Sequence, residues 1–249
     1  MNASYTQKQL NDDSLKSLLT NQLLKGLPEE DFARLWPDLS LVSLSAGENL
    51  YGLSEQIRFA YFPENAVASH LYILEDGSTT EAIMIGREGI TGLSAVLGAQ
   101  PAGHWTQVIV GGAALRVEIE VLRREFARGG ALQQLLLGYS AERLRQLSWR
   151  AVCNGRHSVG ERVHCWLLMI HDRVGDNELP LTHEQIARHL GTRRAGVSEV
   201  AQALRERGII DYGRGHLQIL DRAALEASAC ECYQSIGNGV GFRGHRSFV

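Results

Sequence analysis

The chain has 249 residues, 44% of them hydrophobic and 21% charged, with a formal net charge of −3. That length accommodates two modest domains, and the balance is that of an ordinary globular protein. It excludes a collagen-like or disordered chain, and the weak acidity by itself gives no footprint of nucleic acid. Up to residue 154 there are 13 Lys+Arg against 17 Asp+Glu; the remainder has 12 against 11 and seven of the nine histidines. No early segment has a signal-peptide core, and the longest apolar runs, such as Cys165 to Ile170, are far short of the roughly 20 residues that span a bilayer. A soluble cytoplasmic protein without membrane partners is expected.

Residues 15–36 read as short helices, with Leu23, Leu24 and Leu27 ahead of Pro28 and Phe32 and Leu35 behind an acidic turn. From 39 to 118 the texture changes to short alternating stretches: LSLVSL, RFAYF ending at Pro63, AVASHLYIL, TTEAIMI, TQVIV and AALRVEI. Glycines and the Asp76-Gly77 pair punctuate them at roughly 8–12-residue spacing, the rhythm of an antiparallel sandwich or barrel. Asp76-Gly77 between β-rich runs is the strongest hairpin signal.

The β texture stops at residue 118. A charged helix over 118–128 is broken by Gly129-Gly130, and a long helix follows over 131–153, ended by Asn154-Gly155. Leu137, Leu144, Leu147 and Ala151 fall at heptad-like spacing, with Leu132, Leu135 and Leu136 broadening the stripe. The seam is too short for a free coiled coil and suits a helix that packs on its own domain and pairs with a second copy. A further helix spans 157–174.

Residues 181–222 carry the functional signal: LTHEQIARHLGTRRAGVSEVAQALRERGIIDYGRGHLQILDR. Thr182 and Gln185 form a capping box, Gly191 stops the helix after two turns, and Thr192 is positioned to cap a second helix ending before Gly208. Two helices joined by a short glycine turn form a helix-turn-helix. On the second, Val197, Val200 and Leu204 share one face with Ala201 at its edge. Arg194, Ala195, Ser198, Glu199 and Gln202 lie opposite, where a recognition helix meets bases. Arg194 suits guanine, Gln202 adenine and Glu199 cytosine N4. Ile209–Tyr212 and Leu217–Leu220 flank Gly213-Arg214-Gly215-His216, a hairpin wing whose Arg214 and His216 suit phosphate. The candidate DNA contacts are Thr182, His183, Thr192, Arg193, Arg194, Ser198, Glu199, Gln202, Arg214 and His216. Leu137, Leu144, Leu147 and Ala151 are the candidate dimer contacts.

The same segment resembles the Crp/Fnr family of bacterial transcription regulators. LTHEQIARHLGTRRAGVSEVAQALRERGII is similar, without gaps, to the family's helix-turn-helix pattern. The order Leu27-Pro28, Tyr61-Phe62-Pro63, Asp76-Gly77, Glu88-Gly89 and Gly92-Leu93 resembles its sensor barrel, so the likeness covers residues 20–225. It implies an α+β fold with an N-terminal double-stranded antiparallel, jelly-roll-like β-barrel, a long dimerisation helix and a C-terminal winged helix-turn-helix. The corresponding divisions are 1–129, 130–154 and 155–226, followed by a tail over 227–249 that is Gly-rich from 234 and expected to be poorly ordered. The resemblance also implies homodimers on pseudo-palindromic DNA; duplex DNA, a second copy and RNA polymerase are the expected partners.

Two departures qualify the resemblance. Cyclic-AMP-binding members grip ribose and phosphate with a Gly-Glu-Leu segment and a later Arg-Ser; here stand Gly92-Leu93-Ser94 and Gly103-His104-Trp105-Thr106. Without the arginine a cyclic phosphate loses a bidentate charged bond, so no cyclic-nucleotide control of that type is expected. In the recognition helix Ala195 and Glu199 replace the family's glutamate and arginine, which implies a different half-site.

No enzyme motif is present, and no catalytic residue or cofactor is expected. His183 and His189 are six apart, not four, and so cannot form a zincin pair. His157, His164 and His171 recur every seven residues, a stripe that suits a solvated or interface face better than haem or metal. Cys153, Cys165, Cys230 and Cys232 lack the spacing of paired zinc ligands and read as structural or incidental. With no cysteine before Cys153, the family's N-terminal iron–sulfur chemistry does not extend here. A competing reading is a ligand-sensing module whose winged helix contacts protein instead of DNA.

Overall fold

In the computed structural model, residues 19–213 and 215–237 are described. Two short helices, α1 (Gln22–Gly26) and α2 (Glu29–Leu35), open this part of the chain. Asn21 caps the first by accepting from the Leu23 and Leu24 amides. Seven strands follow: β1 (Ser40–Leu44), β2 (Asn49–Tyr51), β3 (Phe59–Pro63), β4 (Val67–Ile73), β5 (Thr79–Ile85), β6 (Trp105–Val110) and β7 (Gly112–Glu118), with a short helix α3 (Leu93–Val96) before β6. They pair antiparallel in two sheets, ordered β1-β7-β3 and β2-β6-β4-β5. Leu44, Tyr61, Val108 and Ala114 from both sheets share one apolar cluster, so the sheets pack face to face. The jelly-roll-like pair of sheets is as expected; among the described residues no continuous ring of ladder bonds closes it into a barrel. The Asp76-Gly77 hairpin joins β4 to β5, with Gly77 at φ +79° and the Ser78 amide donating to Asp76.

Helix α4 (Ile119–Ala127) leads through Gly129 and Gly130, at φ +78° and +83°, into the 26-residue α5 (Ala131–Arg156). Helix α5 extends further than the Asn154-Gly155 stop implied. Gly155 keeps a right-handed backbone inside the last turn, and the chain turns out only at His157, because Ser158 caps the next helix. Leu132 and Leu136 do not extend the outward leucine stripe; both are buried against the N-terminal domain's main core with Phe32, Leu122 and Tyr139.

The C-terminal domain contains α6 (Val159–Val174), α7 (His183–Leu190), α8 (Arg194–Glu206), α9 (Arg222–Ala227) and α10 (Glu231–Gly237). A small sheet, β8 (Glu178–Leu179), β9 (Ile210–Gly213) and β10 (His216–Ile219), has the order β8-β10-β9. Trp166, Leu167, Ile186, Val197, Leu204 and Ile210 form its core. That core runs on without a break into Val67, Met84 and Ile109 of the N-terminal sheet. The helical turn Gln234–Gly237 departs from the expected loose tail, because Tyr233 and Ile236 bury their side chains in the same core. The tail beyond 237 lies outside the described residues.

Two buried carboxylates bind the domains together. Glu81 of β5 accepts from Ser69 (2.9 Å), Trp166 Nε1 (3.1 Å) and Arg150 (3.2 Å), and His189 Nδ1 lies 3.1 Å from it. Glu88 accepts from Arg143 (3.1 Å), Arg173 (2.8 Å) and the Gly86 amide. Burial pushes both carboxyls up. The cations and donors around them outweigh it and hold both below the ordinary glutamate value: His189 and Arg150 at Glu81, Arg173 and Arg143 at Glu88.

Candidate nucleic-acid interface

The reading head is assembled from local capping chemistry. Thr182 caps α7 by accepting from the Gln185 amide (3.2 Å), while the Gln185 side chain accepts from the Thr182 amide (2.9 Å). Gly191, at φ +58°, supplies the left-handed turn that a side chain would strain. The α8 cap is Arg193, not Thr192. Arg193 has the extended backbone of a cap but no side-chain capping bond, since its guanidinium has only donors and cannot accept from the first amides as a hydroxyl does.

Helix α8 buries Val197, Ala201 and Leu204 and leaves Arg194, Ala195, Glu199 and Gln202 exposed. Val200 is half-buried against the same core. Ser198 is half-buried because His183 Nδ1 lies 3.1 Å from its hydroxyl. The His183 ring in turn meets Tyr212 edge-to-face at 4.6 Å. Burial, then the nearby Arg194 charge, lower the His183 pKa and favour its neutral form. His183 therefore positions Ser198 more readily than it offers a cation to phosphate.

The sequence-derived contacts gather around two concavities. Thr182, His183, Arg194 and His216 line one, between α7, α8 and the wing, together with Tyr212. Thr192, Arg193 and Glu199 line the second, whose opposite wall is the β4–β5 hairpin at Leu74 and Gly77–Thr80. Gln202 lies further along α8 and donates to Glu206 at 3.0 Å. Arg214 lies outside the described residues. Sequence patterning missed Tyr212 and Arg205: Arg205 pairs with Asp211 (2.9 Å) and covers the Tyr212 ring, bracing the wing on α8. The signal was present as an aromatic and an acid at the start of the wing, but the contact is tertiary.

Leu137, Leu144 and Leu147 on α5 are 49%, 68% and 38% exposed, and Ala151 is exposed beside them. Among the described residues they form an apolar row that is exposed at Leu137 and Leu144 and partly covered at Leu147. In the N-terminal domain, His104 stacks on His70 at 3.9 Å and faces Tyr51 edge-on. Burial lowers the pKa of both histidines, so neither supplies a cation beside Gly103–Thr106. The histidine stripe is divided: His164 meets the Ser228 carbonyl (2.8 Å), and His171 meets Asn177 (2.8 Å). His157 instead joins Cys153, Cys230 and Cys232, four potential metal donors from separate parts of the chain. Among the described residues no helix is long and apolar enough to cross a membrane.

The architecture is thus a double-sheet domain joined through a long helix to a winged helix-turn-helix. Residues 161–228 match the model of the Crp-like helix-turn-helix domain. No curated protein matches the chain. Among solved structures, a Crp/Fnr-family transcriptional regulator from Eubacterium rectale superposes with a TM-score of 0.66 at 18% identity, over 84% of this chain and 97% of that one. FixK2 from Bradyrhizobium japonicum gives 0.66 at 19% identity, over 77% and 98%. A CRP-family regulator from Thermus thermophilus gives 0.65 at 20%, over 76% and 96%. The chain thus carries a Crp-like helix-turn-helix domain on the fold of the Crp/Fnr regulators, and the resemblance noted in its sequence is borne out.

Proposed function

We propose that the protein is a sequence-specific DNA-binding transcription regulator that acts as a homodimer on a pseudo-palindromic operator, without cyclic-AMP control and without enzymatic activity. The observation that carries this reading is the division of α8. Its apolar side packs on the domain core through Val197, Ala201 and Leu204, with Val200 half-buried, and its other side presents Arg194, Ala195, Glu199 and Gln202 next to the concavity lined by Thr182 and His216. A face with short side chains at the helix start and an arginine at its edge suits a major groove. The exposed row Leu137–Leu144–Leu147 supports pairing through α5, which would set two reading heads on successive half-sites. The neutral His70–His104 stack and the missing arginine support independence from cyclic AMP. RNA polymerase is the partner through which such a regulator acts.

Binding to promoter fragments across a salt series tests the proposal. Phosphate contacts predict affinity that falls steeply with salt. Arg194→Ala is expected to weaken specific binding by roughly 1–3 kcal/mol and relax discrimination at one base pair per half-site, read by competition against substituted operators. Unchanged binding of both specific and random DNA would show that α8 is not the reading element.

A further inference from the structure

Outside the interface, the most concentrated set of metal-ligating side chains lies at the joint between the two domains. Cys153 and His157 are four residues apart at the end of α5, so they share one helical face. Cys230 immediately precedes α10 and Cys232 occupies its first turn. The four donor atoms all lie within 4.8 Å of one another. Cys153 Sγ and Cys230 Sγ are 3.7 Å apart, and Cys232 Sγ and His157 Nδ1 are 3.5 Å apart. Tetrahedral zinc, with bonds of about 2.3 Å to sulfur and about 2.0–2.1 Å to nitrogen, requires edges of about 3.7 and about 3.5 Å respectively.

The surroundings are also those of a closed metal site. All three cysteines are buried, and the His157 side chain is 13% exposed. With Nδ1 turned to the thiols, His157 Nε2 lies 3.4 Å from the Glu231 carboxylate. A carboxylate on the far nitrogen fixes the tautomer and orientation of a ligating imidazole. Three thiols and an imidazole favour a thiolate-preferring ion with tetrahedral geometry. Donors this close suit a single ion better than a polynuclear iron–sulfur core.

We propose that Cys153, His157, Cys230 and Cys232 bind one zinc-type ion, with Glu231 orienting His157, and that the ion clamps α10 onto the junction between α5 and α6. Binding replaces the protons of the thiols with the metal and involves no change of oxidation state. His157 is the residue at which the chain leaves α5 for the DNA-binding domain, so the ion fixes the angle at which that domain departs. Arg145 of α5 supports the same clamp by donating to the Ser235 and Ile236 carbonyls.

The test is elemental analysis of the full-length protein, expressed without an affinity tag and purified under reducing conditions, with cobalt(II) as a spectroscopic probe. One zinc per chain is expected, and cobalt should give the intense d–d bands of a tetrahedral thiolate site. Cys230→Ser with Cys232→Ser should abolish both signals. Because that variant also disturbs a core, Glu231→Gln on the surface provides the second arm: unchanged circular dichroism with about 10–100-fold weaker zinc affinity, measured by chelator competition. Metal-free protein that takes up no cobalt would overturn the proposal. So would zinc retained by the double variant, or a native mass two hydrogens low from a Cys153–Cys230 disulfide. None of these readouts depends on DNA, so the proposal stands or falls apart from the function proposed above.

Discussion

The two long faces of α5 invert the usual rule. The inward row, Leu132, Leu136, Tyr139, Arg143, Gln146, Arg150 and Cys153, is buried although its middle is charged and polar. The outward row, Leu137, Leu144 and Leu147 with Ala151, is apolar and exposed. Inside, the arginines are tolerated because Glu88 and Glu81 neutralise them and Gln146 and the Met84 carbonyl accept from Arg143. Outside, the described residues leave the leucines 38–68% exposed. The contrast teaches that burial in one chain is a poor guide to which face of such a helix is structural. The polar row joins the domains of one molecule, and the apolar row is available to another.

The strongest way to break this picture is to remove a buried carboxylate. Glu81→Ala leaves Arg150 without its partner and the Trp166 indole without an acceptor. It is expected to destabilise the fold by about 3–5 kcal/mol in urea denaturation. A loss near that of a surface substitution would mean that the inward row is solvated and not load-sharing. On the outward face, Leu144→Ala should weaken self-association by about 1.5–3 kcal/mol for each leucine withdrawn from the seam, without lowering the stability of the isolated fold. Sedimentation velocity over a dilution series reads that change, and a Leu144→Glu variant that still dimerises would exclude this face as the contact.

The smallest effect sharpens the inward side. His70 is half-buried with its Nε2 shielded from solvent, and burial, then His104, then Arg143 lower its pKa. The unfolded chain therefore takes up the proton more readily. The stability tied to neutral His70 is complete above the unfolded value of about 6.5 and is lost as pH falls through it. At pH 6 the loss is bounded at roughly 1 kcal/mol, and His70→Phe should flatten that limb of the stability–pH curve.

Local chemistry explains what was legible in the sequence. The Thr182–Gln185 box, Gly191, the Val197–Ala201–Leu204 face and the Asp76-Gly77 hairpin each depend on residues a few positions apart, and all appear where the pattern placed them. Strands β2 and β8, of three and two residues, are too short to show alternation; tertiary pairing alone makes them strands. The burial of Arg143 and Arg150 was not legible, because their carboxylate partners lie 55 and 69 residues away. The thiols of Cys153 and Cys230 meet across 77 residues, a distance at which spacing rules for paired ligands are silent.

Glu81 gathers one residue from each of α5, α6 and α7 onto a strand of the N-terminal sheet. Separating the C-terminal domain from that sheet would strip this carboxylate of Trp166 and His189. Losing the partners of such a group costs several kcal/mol, comparable to the roughly 5.5 kcal/mol that carries a two-state equilibrium from 1:99 to 99:1.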